Sequence, residues 1–457
     1  MDIFVRERVD CSEGRLLSAD IQRVINEAKE GDCIVFEKGS YLLSTIYLKS
    51  GITLKLDKGC SILGSKNFND YEKDEKVDYP LYQDASHSFF HCSLFVGEKL
   101  SNIKIIGEGV IDMQSVWDEK NVRNMVHRGA KCIALKECEN VVLEGFSVFN
   151  CTDLAIYFAG CTHVSLSKLY IKTYIDGISP DNCKDVSISD CEIEAGDDGI
   201  VFKSSYTLNR LDVCKNIIVK DCKVKSRCNA IKFGTETNGG FFDFTITNIQ
   251  IYETRLAGIA VESVDGAMID NLVFDNITMK NVGTPFFIHL GKRMRGPKDR
   301  AVGSISNIRF ANIFASGKYV GYDIMPWNYD SFKQNDCYQY PWEIGKAEGF
   351  FGKNEETSAW QITSNCCGLI GNNLKNICFE NIKLELWGGA TKIVSSVPED
   401  VQDYPDVYVY GAELPAKGIF FRHIDGLTIK NFIVNTIKPD VRADFIYEDV
   451  ANLVIES

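Results

Sequence analysis

The chain has 457 residues, of which 45% are apolar and 25% charged, a balance typical of a soluble globular protein with a sizeable core. No apolar run reaches transmembrane length and no signal-peptide pattern follows Met1, so we expect a cytoplasmic protein, or a secreted one if an export signal was removed. The formal net charge of −13 disfavours nucleic acid and anionic membranes as partners.

The 17 cysteines do not indicate cross-links or a zinc site. Their number is odd, and the chain lacks CxxC pairs and Cys/His ligand spacing. Cys191 in SDCEI and Cys222 in KDCKV occupy matching positions of a repeat. We therefore expect small apolar side chains stacked in a reduced core.

The first predicted element is a helix over about residues 18–30, in the sequence DIQRVINEAKEG. Ser18 is the predicted N-cap, and Gly31 is predicted to end the helix. The predicted apolar face consists of Ile21, Val24, Ile25 and Ala28. A helix placed here would cover the open edge of the sheet that follows.

A short repeat occupies most of the remaining chain. Each copy has a polar residue or Gly followed by an alternating apolar triplet, which is typical of half-buried strands. The copies are NIKI at Asn102, NVVL at Asn140, HVSL at His163, DVSI at Asp185, NIIV at Asn216, DFTI at Asp243, NLVF at Asn271, NIRF at Asn307, NICF at Asn376, GLTI at Gly426 and NLVI at Asn452. Between Asn140 and Asn271 the spacings are 23, 22, 31, 27 and 28 residues.

This period favours one fold over its alternatives. A propeller blade needs about 40 to 50 residues, and leucine-rich repeats would show a ladder of Leu. A right-handed parallel β-helix fits best, because a single coil cannot bury its own apolar face and stacked coils form one continuous core. We predict an all-β chain of about ten coils, with residues 1–457 forming a single domain.

Three acids lie at one phase of two successive repeats. Asp176 and Asp197 are 21 residues apart, close to one coil, and Asp198 follows directly. Since neighbouring strands lie about 4.8 Å apart, these side chains should reach the same surface. Crowding raises the pKa of at least one carboxyl, as a general acid requires, and paired carboxylates are typical of glycoside hydrolysis. For Asp181 and Asp185 we expect only the capping of backbone groups at turns.

Residues 316–365 break the period and form a predicted insertion loop. Its aromatic residues are Tyr319, Tyr322, Trp327, Tyr329, Tyr338, Tyr340, Trp342, Phe350, Phe351 and Trp360. Loops of this length are usually functional or disordered, and the aromatic content argues against disorder. A sugar-stacking platform, a self-packed lid and an interface patch all remain open.

The motifs together resemble the polygalacturonase family, glycoside hydrolase family 28, as a divergent bacterial member. The likeness covers nearly the whole chain, from GSYLLSTIYLKSGITLKLDKGCSILGS and EGVIDMQSVW to the late segment LPAKGIFFRHIDGLTIKN. The family's Asn-Thr-Asp motif corresponds to Tyr174-Ile175-Asp176, and its Gly-Asp-Asp motif to Gly196-Asp197-Asp198, followed by a matching Lys203. The resemblance implies that Asp197 is the general acid, that Asp176 and Asp198 activate water with inversion, and that no metal or cofactor takes part.

Two motifs depart from the family pattern. Asn229 replaces the histidine of Gly-His-Gly, and the Arg-Ile-Lys motif, which binds the substrate carboxylate in the family, becomes Ala260-Val261-Glu262. A galacturonate carboxylate would meet repulsion there. The substrate-binding candidates are therefore Lys203, Asn229, Lys232, Glu236, Arg255, Glu262, His289, Lys292 and Arg293, with His87, His91 and His127 as weaker ones.

The leading hypothesis is an inverting glycoside hydrolase that acts on a pectic or related oligo- or polysaccharide. A polysaccharide lyase or epimerase on the same fold is an alternative, since a fold does not determine function. A non-catalytic carbohydrate-binding β-helix is a third hypothesis. The sequence leaves the sugar, endo or exo action and homo-oligomer formation open.

Overall fold

A computed structural model describes residues 1–83, 85–118, 128–320, 359–399, 405, 407, 409–410 and 414–456. Residues 321–358, which contain most of the predicted aromatic insertion, lie outside the described residues. The two sides of that insertion meet as a short antiparallel pair, in which Tyr319 pairs with Trp360.

The N-terminal region carries two helices and two 3₁₀ turns. Helix α1 spans Val5–Arg8 and α2 spans Ser18–Glu27, and the 3₁₀ turns span Phe68–Asp70 and Ala85–His87. The predicted apolar face of α2 is buried at Ile21, Val24 and Ile25, within the main core. The predicted N-cap is wrong: Leu17 precedes the helix, and the Ser18 hydroxyl instead accepts a hydrogen bond from the Ser44 amide at 2.7 Å.

Short connections join most of the successive strands, and a longer one that contains both 3₁₀ turns lies between β6 and β7. The first nine are β1 Asp2–Phe4, β2 Cys33–Phe36, β3 Gly39–Leu43, β4 Ile46–Tyr47, β5 Thr53–Leu56, β6 Cys60–Gly64, β7 Ser93–Glu98, β8 Ser101–Gly107 and β9 Val110–Asp112. The next are β10 Lys131–Lys136, β11 Glu139–Glu144, β12 Ser147–Phe149, β13 Ile156–Ala159, β14 Thr162–Ser167, β15 Tyr170–Thr173, β16 Ile178–Asp181, β17 Lys184–Ser189, β18 Glu192–Ala195, β19 Ile200–Ser204, β20 Val213–Lys220, β21 Lys223–Ser226 and β22 Ile231–Thr237. The last are β23 Gly240–Ser263, β24 Met268–Leu290, β25 Ser304–Ser316, β26 Tyr319–Val320, β27 Ala359–Trp360, β28 Ser364–Cys367, β29 Leu374–Gly388, β30 Ala416–Lys438 and β31 Ala443–Glu456.

The strands stack in three parallel rows, so the predicted right-handed parallel β-helix is confirmed. One row runs through β7, β10, β13, β16, β19 and β22, with Ile156, Ile178, Ile200 and Ile231 in register. A second row runs through β8, β11, β14, β17 and β20, and a third through β9, β12, β15, β18 and β21. The long strands β23 and β24 bend through all three rows.

The interior is a continuous stack of apolar side chains, one layer per coil. Most of the described cysteines are buried, among them Cys191 and Cys222 of this core at 2% and 1% exposure, and every cysteine in the described part of the chain is a free thiol, as expected. None of the described helices has the length and apolarity needed to cross a membrane.

Candidate active site

The register of the first row brings the predicted acids together. Ile178, Ile200, Ile231 and Ile259 are partners on successive coils, so the residues two positions earlier share one place on each coil. Those residues are, in order along the axis, Asp176, Asp198, Asn229 and Ala257. The Asp198 amide donates to Asp176 Oδ1 at 3.2 Å, which ties the first two together. Asp197 lies beside Asp198, and the carbonyl of Asp197 accepts hydrogen bonds from Ser226 and from the Cys228 amide.

Asp198 is held by partners from the next coil. Its Oδ1 accepts hydrogen bonds from the Asn229 amide nitrogen at 2.9 Å and from Asn229 Nδ2 at 2.8 Å. Its Oδ2 lies 3.2 Å from Lys232 Nζ. Asn229 Oδ1 in turn accepts a hydrogen bond from the Ala257 amide at 3.0 Å. Asn229, which was predicted to bind substrate, is 2% exposed. Its Nδ2 holds Asp198, and its Oδ1 is itself fixed by the Ala257 amide.

Burial and neighbouring carboxylates raise the pKa of Asp176 and of Asp197. Asp176 is 4% exposed, and burial, together with the carboxylates of Asp197 and Asp198, raises its pKa to about 8 against the opposing charge of Lys203. Burial and then Asp198 also raise the pKa of Asp197, although Asp197 is the more accessible of the three acids. One carboxylate oxygen of Asp197, one of Asp198 and the Sγ atom of Cys228 all lie within 4.8 Å of one another. The site therefore combines a half-exposed acid with a carboxylate held by an ion pair.

Several predicted substrate-binding charges are engaged with one another. Lys203 Nζ lies 3.0 Å from Glu236 Oε2, and the other carboxylate oxygen of Glu236, Oε1, lies 2.6 Å from the Arg295 guanidinium. Although burial opposes its charge, Glu236 raises the pKa of Lys203 above the ordinary value. Lys232 Nζ also lies 3.9 Å from Glu262 Oε1, and Glu262 is 1% exposed. These residues form a buried charge network beside the acids.

The remaining candidates spread over the following coils. Arg293 forms an ion pair with Asp265 at 2.5 Å and donates to the Thr235 carbonyl, whereas Lys292 is exposed. His289 is 2% exposed, and its Nδ1 lies 2.7 Å from the Tyr410 hydroxyl. Arg255 is half-buried in β23 where the register shifts.

The early histidines and Asp181 differ in their surroundings. His87 is buried, and burial followed by the charge of Lys203 holds its pKa well below the ordinary value. His91 lies 4.0 Å from Glu75 and 3.7 Å from Glu98, and His127 lies outside the described residues. Asp181 accepts a hydrogen bond from the Ser205 amide at 2.9 Å, as its expected capping role requires, but it is fully buried within β16 and also accepts one from Tyr157.

Sequence reasoning missed several residues around the acids. Arg295 and Asp265 reach the network from a later turn, and Cys228 is stacked on Asp197. Arg128 lies close enough to lower the pKa of both Asp176 and Asp197 below what their burial alone would give. Only Cys228 could have been identified from the sequence, because it immediately precedes Asn229, which is aligned with the histidine of the family motif. The others come from loops without repeat periodicity.

Comparisons with known proteins agree with this architecture. The model of a family described as Glycosyl hydrolases family 28 matches residues 32–367. An endo-polygalacturonase of Pectobacterium carotovorum subsp. carotovorum is 23% identical over 299 residues, which cover 59% of this chain and 71% of that protein. An exo-poly-alpha-D-galacturonosidase of Dickeya chrysanthemi is 22% identical over 321 residues, covering 58% of this chain and 53% of that protein.

Solved structures show the same fold at low sequence identity. A family 28 exopolygalacturonase of Yersinia enterocolitica superposes with a TM-score of 0.67 at 18% identity, covering 98% of this chain and 78% of that one. A hyperthermoactive exopolygalacturonase of Thermotoga maritima superposes with a TM-score of 0.64 at 17% identity, covering 84% and 87% of the two chains.

Proposed function

Because the chain belongs to glycosyl hydrolases family 28 and is a glycoside hydrolase, we propose that it cleaves a glycosidic bond of a pectic or related saccharide with Asp176, Asp197 and Asp198. The observation that carries the proposal is the stacking of the three acids on adjacent coils, joined by the bond from the Asp198 amide to Asp176. The polygalacturonase names of the relatives support a pectic substrate class.

The proposed reaction assigns one step to each acid. Asp197, half-exposed and with a raised pKa, donates its proton to the glycosidic oxygen as the bond to the anomeric carbon breaks. A water molecule attacks that carbon, and its proton passes to Asp198, whose carboxylate is paired with Lys232. Asp176, held next to Asp198, orients the water through a hydrogen bond.

Inversion at the anomeric carbon is proposed from the family resemblance and not from the spacing of the acids. Oxygens of Asp197 and Asp198 lie within 4.8 Å, whereas inverting pairs are usually about 6.5 to 9.5 Å apart. The anomeric configuration of the first product formed, measured by nuclear magnetic resonance, distinguishes inversion from retention. An α-linked substrate that yields a β product supports inversion, and an α product contradicts it.

At the position of the family's carboxylate-binding motif, we propose recognition of a sugar without a carboxylate. Ala260 is packed in an apolar cluster with Phe287, and Glu262 is buried beside Lys232. Neither residue is a cation that could bind a substrate carboxylate, and the nearby cation Lys203 forms an ion pair with Glu236. A pectic chain with neutral units, or one with masked carboxylates, fits this site better than an unmodified galacturonate.

The test incubates the protein with pectic oligosaccharides and with their carboxyl-reduced counterparts, and follows new reducing ends and unsaturated ends. We expect reducing ends without unsaturation, and a loss of about 10²- to 10⁴-fold in Asp197→Asn. Asp185→Asn is the matched control, because Asp185 is an exposed aspartate of the neighbouring strand β17. Unsaturated products would transfer the assignment to a lyase, and binding without turnover would favour a non-catalytic carbohydrate-binding protein.

A further inference from the structure

An apolar wall closes the site on the N-terminal side of the acids. In the stack of equivalent positions, the residue one coil before Asp176 is Leu154, which is 1% exposed. Leu154 belongs to a second apolar cluster on the outer face of the coils, separate from the interior. The other members of that cluster are Phe90, Ala134, Tyr157, Ala159, Ile175 and Leu208.

This wall is built by two loops that cover strands β10, β13 and β16. The Phe90 ring stacks on Tyr157 with centroids 5.1 Å apart, and the Tyr157 hydroxyl donates to the His87 carbonyl at 2.7 Å. The second loop joins the first through Thr207, which donates to the same carbonyl and accepts from Tyr79 at 2.6 Å. The outward faces of these strands are therefore occupied by protein directly beside Asp176.

A second wall closes the C-terminal side. One coil after Asn229 the stack continues with Ala257, which is fully buried in another outer apolar cluster together with Leu256 and Ala260. The covering side chains include Tyr410, whose hydroxyl bonds His289. Val397 also packs against this cluster. Arg422 of β30 donates to the carbonyls of Val397 and Pro398 at 3.1 and 2.7 Å, which fixes these two residues to β30.

Between the walls, the polar part of the stack comprises Asp176, Asp198 and Asn229. At about 4.8 Å per coil, the first and third of these positions are about 10 Å apart. A chain running along the coils past the acids in both directions would meet the Leu154 cluster on one side and the Ala257 cluster on the other. The accessible groups in this interval, such as Asp197 and Cys228, are half-buried.

From these two walls we propose that the acids lie in a pocket that admits one end of a saccharide chain, so that the enzyme acts from a chain terminus. The inference rests on the proposed function and adds the substrate's form to it: the terminal units of an oligosaccharide are bound, and internal bonds of a long polymer are not reached. A pocket closed by packed loops is also prearranged, because its walls are held by hydrogen bonds before any ligand binds.

The test maps the cleavage position in ladders of oligogalacturonides and of their carboxyl-reduced counterparts, labelled at the reducing end. We expect the fragment released from the chain end to have the same size at every chain length, whether it is the labelled or the unlabelled part of the substrate. On the corresponding polymers, reducing ends should accumulate while the viscosity falls only slowly. The Asp197→Asn protein, run in parallel, should release none of these products and so excludes a contaminating hydrolase.

Two different failures are distinguishable. First products of many sizes, together with a rapid fall in viscosity, would overturn the chain-end inference and leave the proposed hydrolase intact. The absence of new reducing ends from the labelled ladders and from their unlabelled counterparts would overturn the proposed function and this inference with it. Cleavage of the unlabelled oligosaccharides without cleavage of the labelled ones would identify the reducing terminus as the end that enters the pocket, and would support the inference.

Discussion

Asp176 occupies a place that suits a carboxyl group only while it carries a proton. Its side chain is 4% exposed, and the adjoining carboxylates of Asp197 and Asp198 add to the effect of burial, which together raise its pKa to about 8. In the unfolded chain an aspartate titrates near 3.9. The protonated group therefore contributes stability that is fully present below about pH 4 and is lost as the pH rises towards 8. The proposed catalytic role and stability conflict at this residue.

Replacing Asp176 by Asn should remove this pH dependence. The carboxamide oxygen of the variant would accept the same hydrogen bond from the Asp198 amide, without a group that ionises. We expect the melting temperature of Asp176→Asn, relative to the wild type, to rise between about pH 4 and pH 8, while activity is lost. Calorimetry across this range measures the difference. A difference that stays constant with pH would show that Asp176 is ionised in the folded protein throughout.

Lys232 joins two carboxylates that are both buried. Its Nζ lies 3.2 Å from Asp198 and 3.9 Å from Glu262, and all three side chains are almost inaccessible. Removing the cation leaves two buried carboxylates beside each other, which is costly because burial penalises an uncompensated charge. Lys232 also lowers the pKa of Asp197, so it affects the proposed general acid as well.

We expect Lys232→Met to lower the free energy of unfolding by about 3 to 5 kcal/mol, as measured by denaturant titration. The double variant Lys232→Met with Glu262→Gln should recover part of that loss, because one of the two anions is removed. Lys168→Met is the control, since the Lys168–Glu144 pair is exposed and should matter little. An equal loss of unfolding free energy in the single and double variants would show that Lys232 does not stabilise the charge of Glu262. In the single variant the alkaline limb of activity should move to higher pH, since the pKa of Asp197 rises.

At the scale of elements, strands of neighbouring coils are joined by ladders of Asn and Asp side chains. Asn307 has φ 54°, donates from Nδ2 to Asp270 at 2.6 Å and accepts from Asn376 at 2.9 Å. The same contact recurs between Asn216 and Asp185 one coil apart, and Asp185 has φ 55°. Asn and Asp adopt the left-handed conformation more readily than other residues with a side chain, and their side chains bond neighbouring turns. This explains why most of the repeats begin with such a residue.

The ladder predicts an ordering of substitutions at Asn307. Ala loses both side-chain hydrogen bonds and must also adopt positive φ, which costs about 1 to 2 kcal/mol more. Gly loses the hydrogen bonds but accepts the backbone conformation. We therefore expect Asn307→Ala to be less stable than Asn307→Gly by about 1 kcal/mol in denaturant titrations. An Ala variant as stable as the Gly variant would contradict this account.

The strands were predictable from the sequence because their causes are local. Alternation decides which side chains face the core, and a residue such as Asn307, at positive φ inside β25, precedes each apolar triplet of this kind. The register of the acids follows from the same period. The walls of the site were not predictable, because Phe90 meets Tyr157 and Tyr410 meets His289 across large sequence separations, from loops without any period. The pairing of Glu236 with Arg295 was missed for the same reason.

At the scale of the whole molecule, each coil is stabilised mainly by its two neighbours. Strand β17 pairs with β14 on one side and β20 on the other, and its Ile188 is fully buried. Strand β31 pairs with β30, and no other described strand covers its second edge. Its residues are mostly exposed, with Val454 and Ile455 at 45% and 61%. In a stacked repeat this difference in neighbours becomes a difference in local stability.

Hydrogen exchange should therefore be graded along the axis. Amides of β17 should exchange only through global unfolding, whereas those of β31 should exchange through local opening at a lower free energy. Ile188→Ala should reduce the free energy of unfolding by about 2 to 5 kcal/mol and speed exchange across the central coils, because it opens a cavity in the continuous core. Val454→Ala should change it by less than about 0.5 kcal/mol and affect β31 alone. Exchange that accelerates equally along the whole axis in both variants would mean that the coils unfold as one cooperative unit.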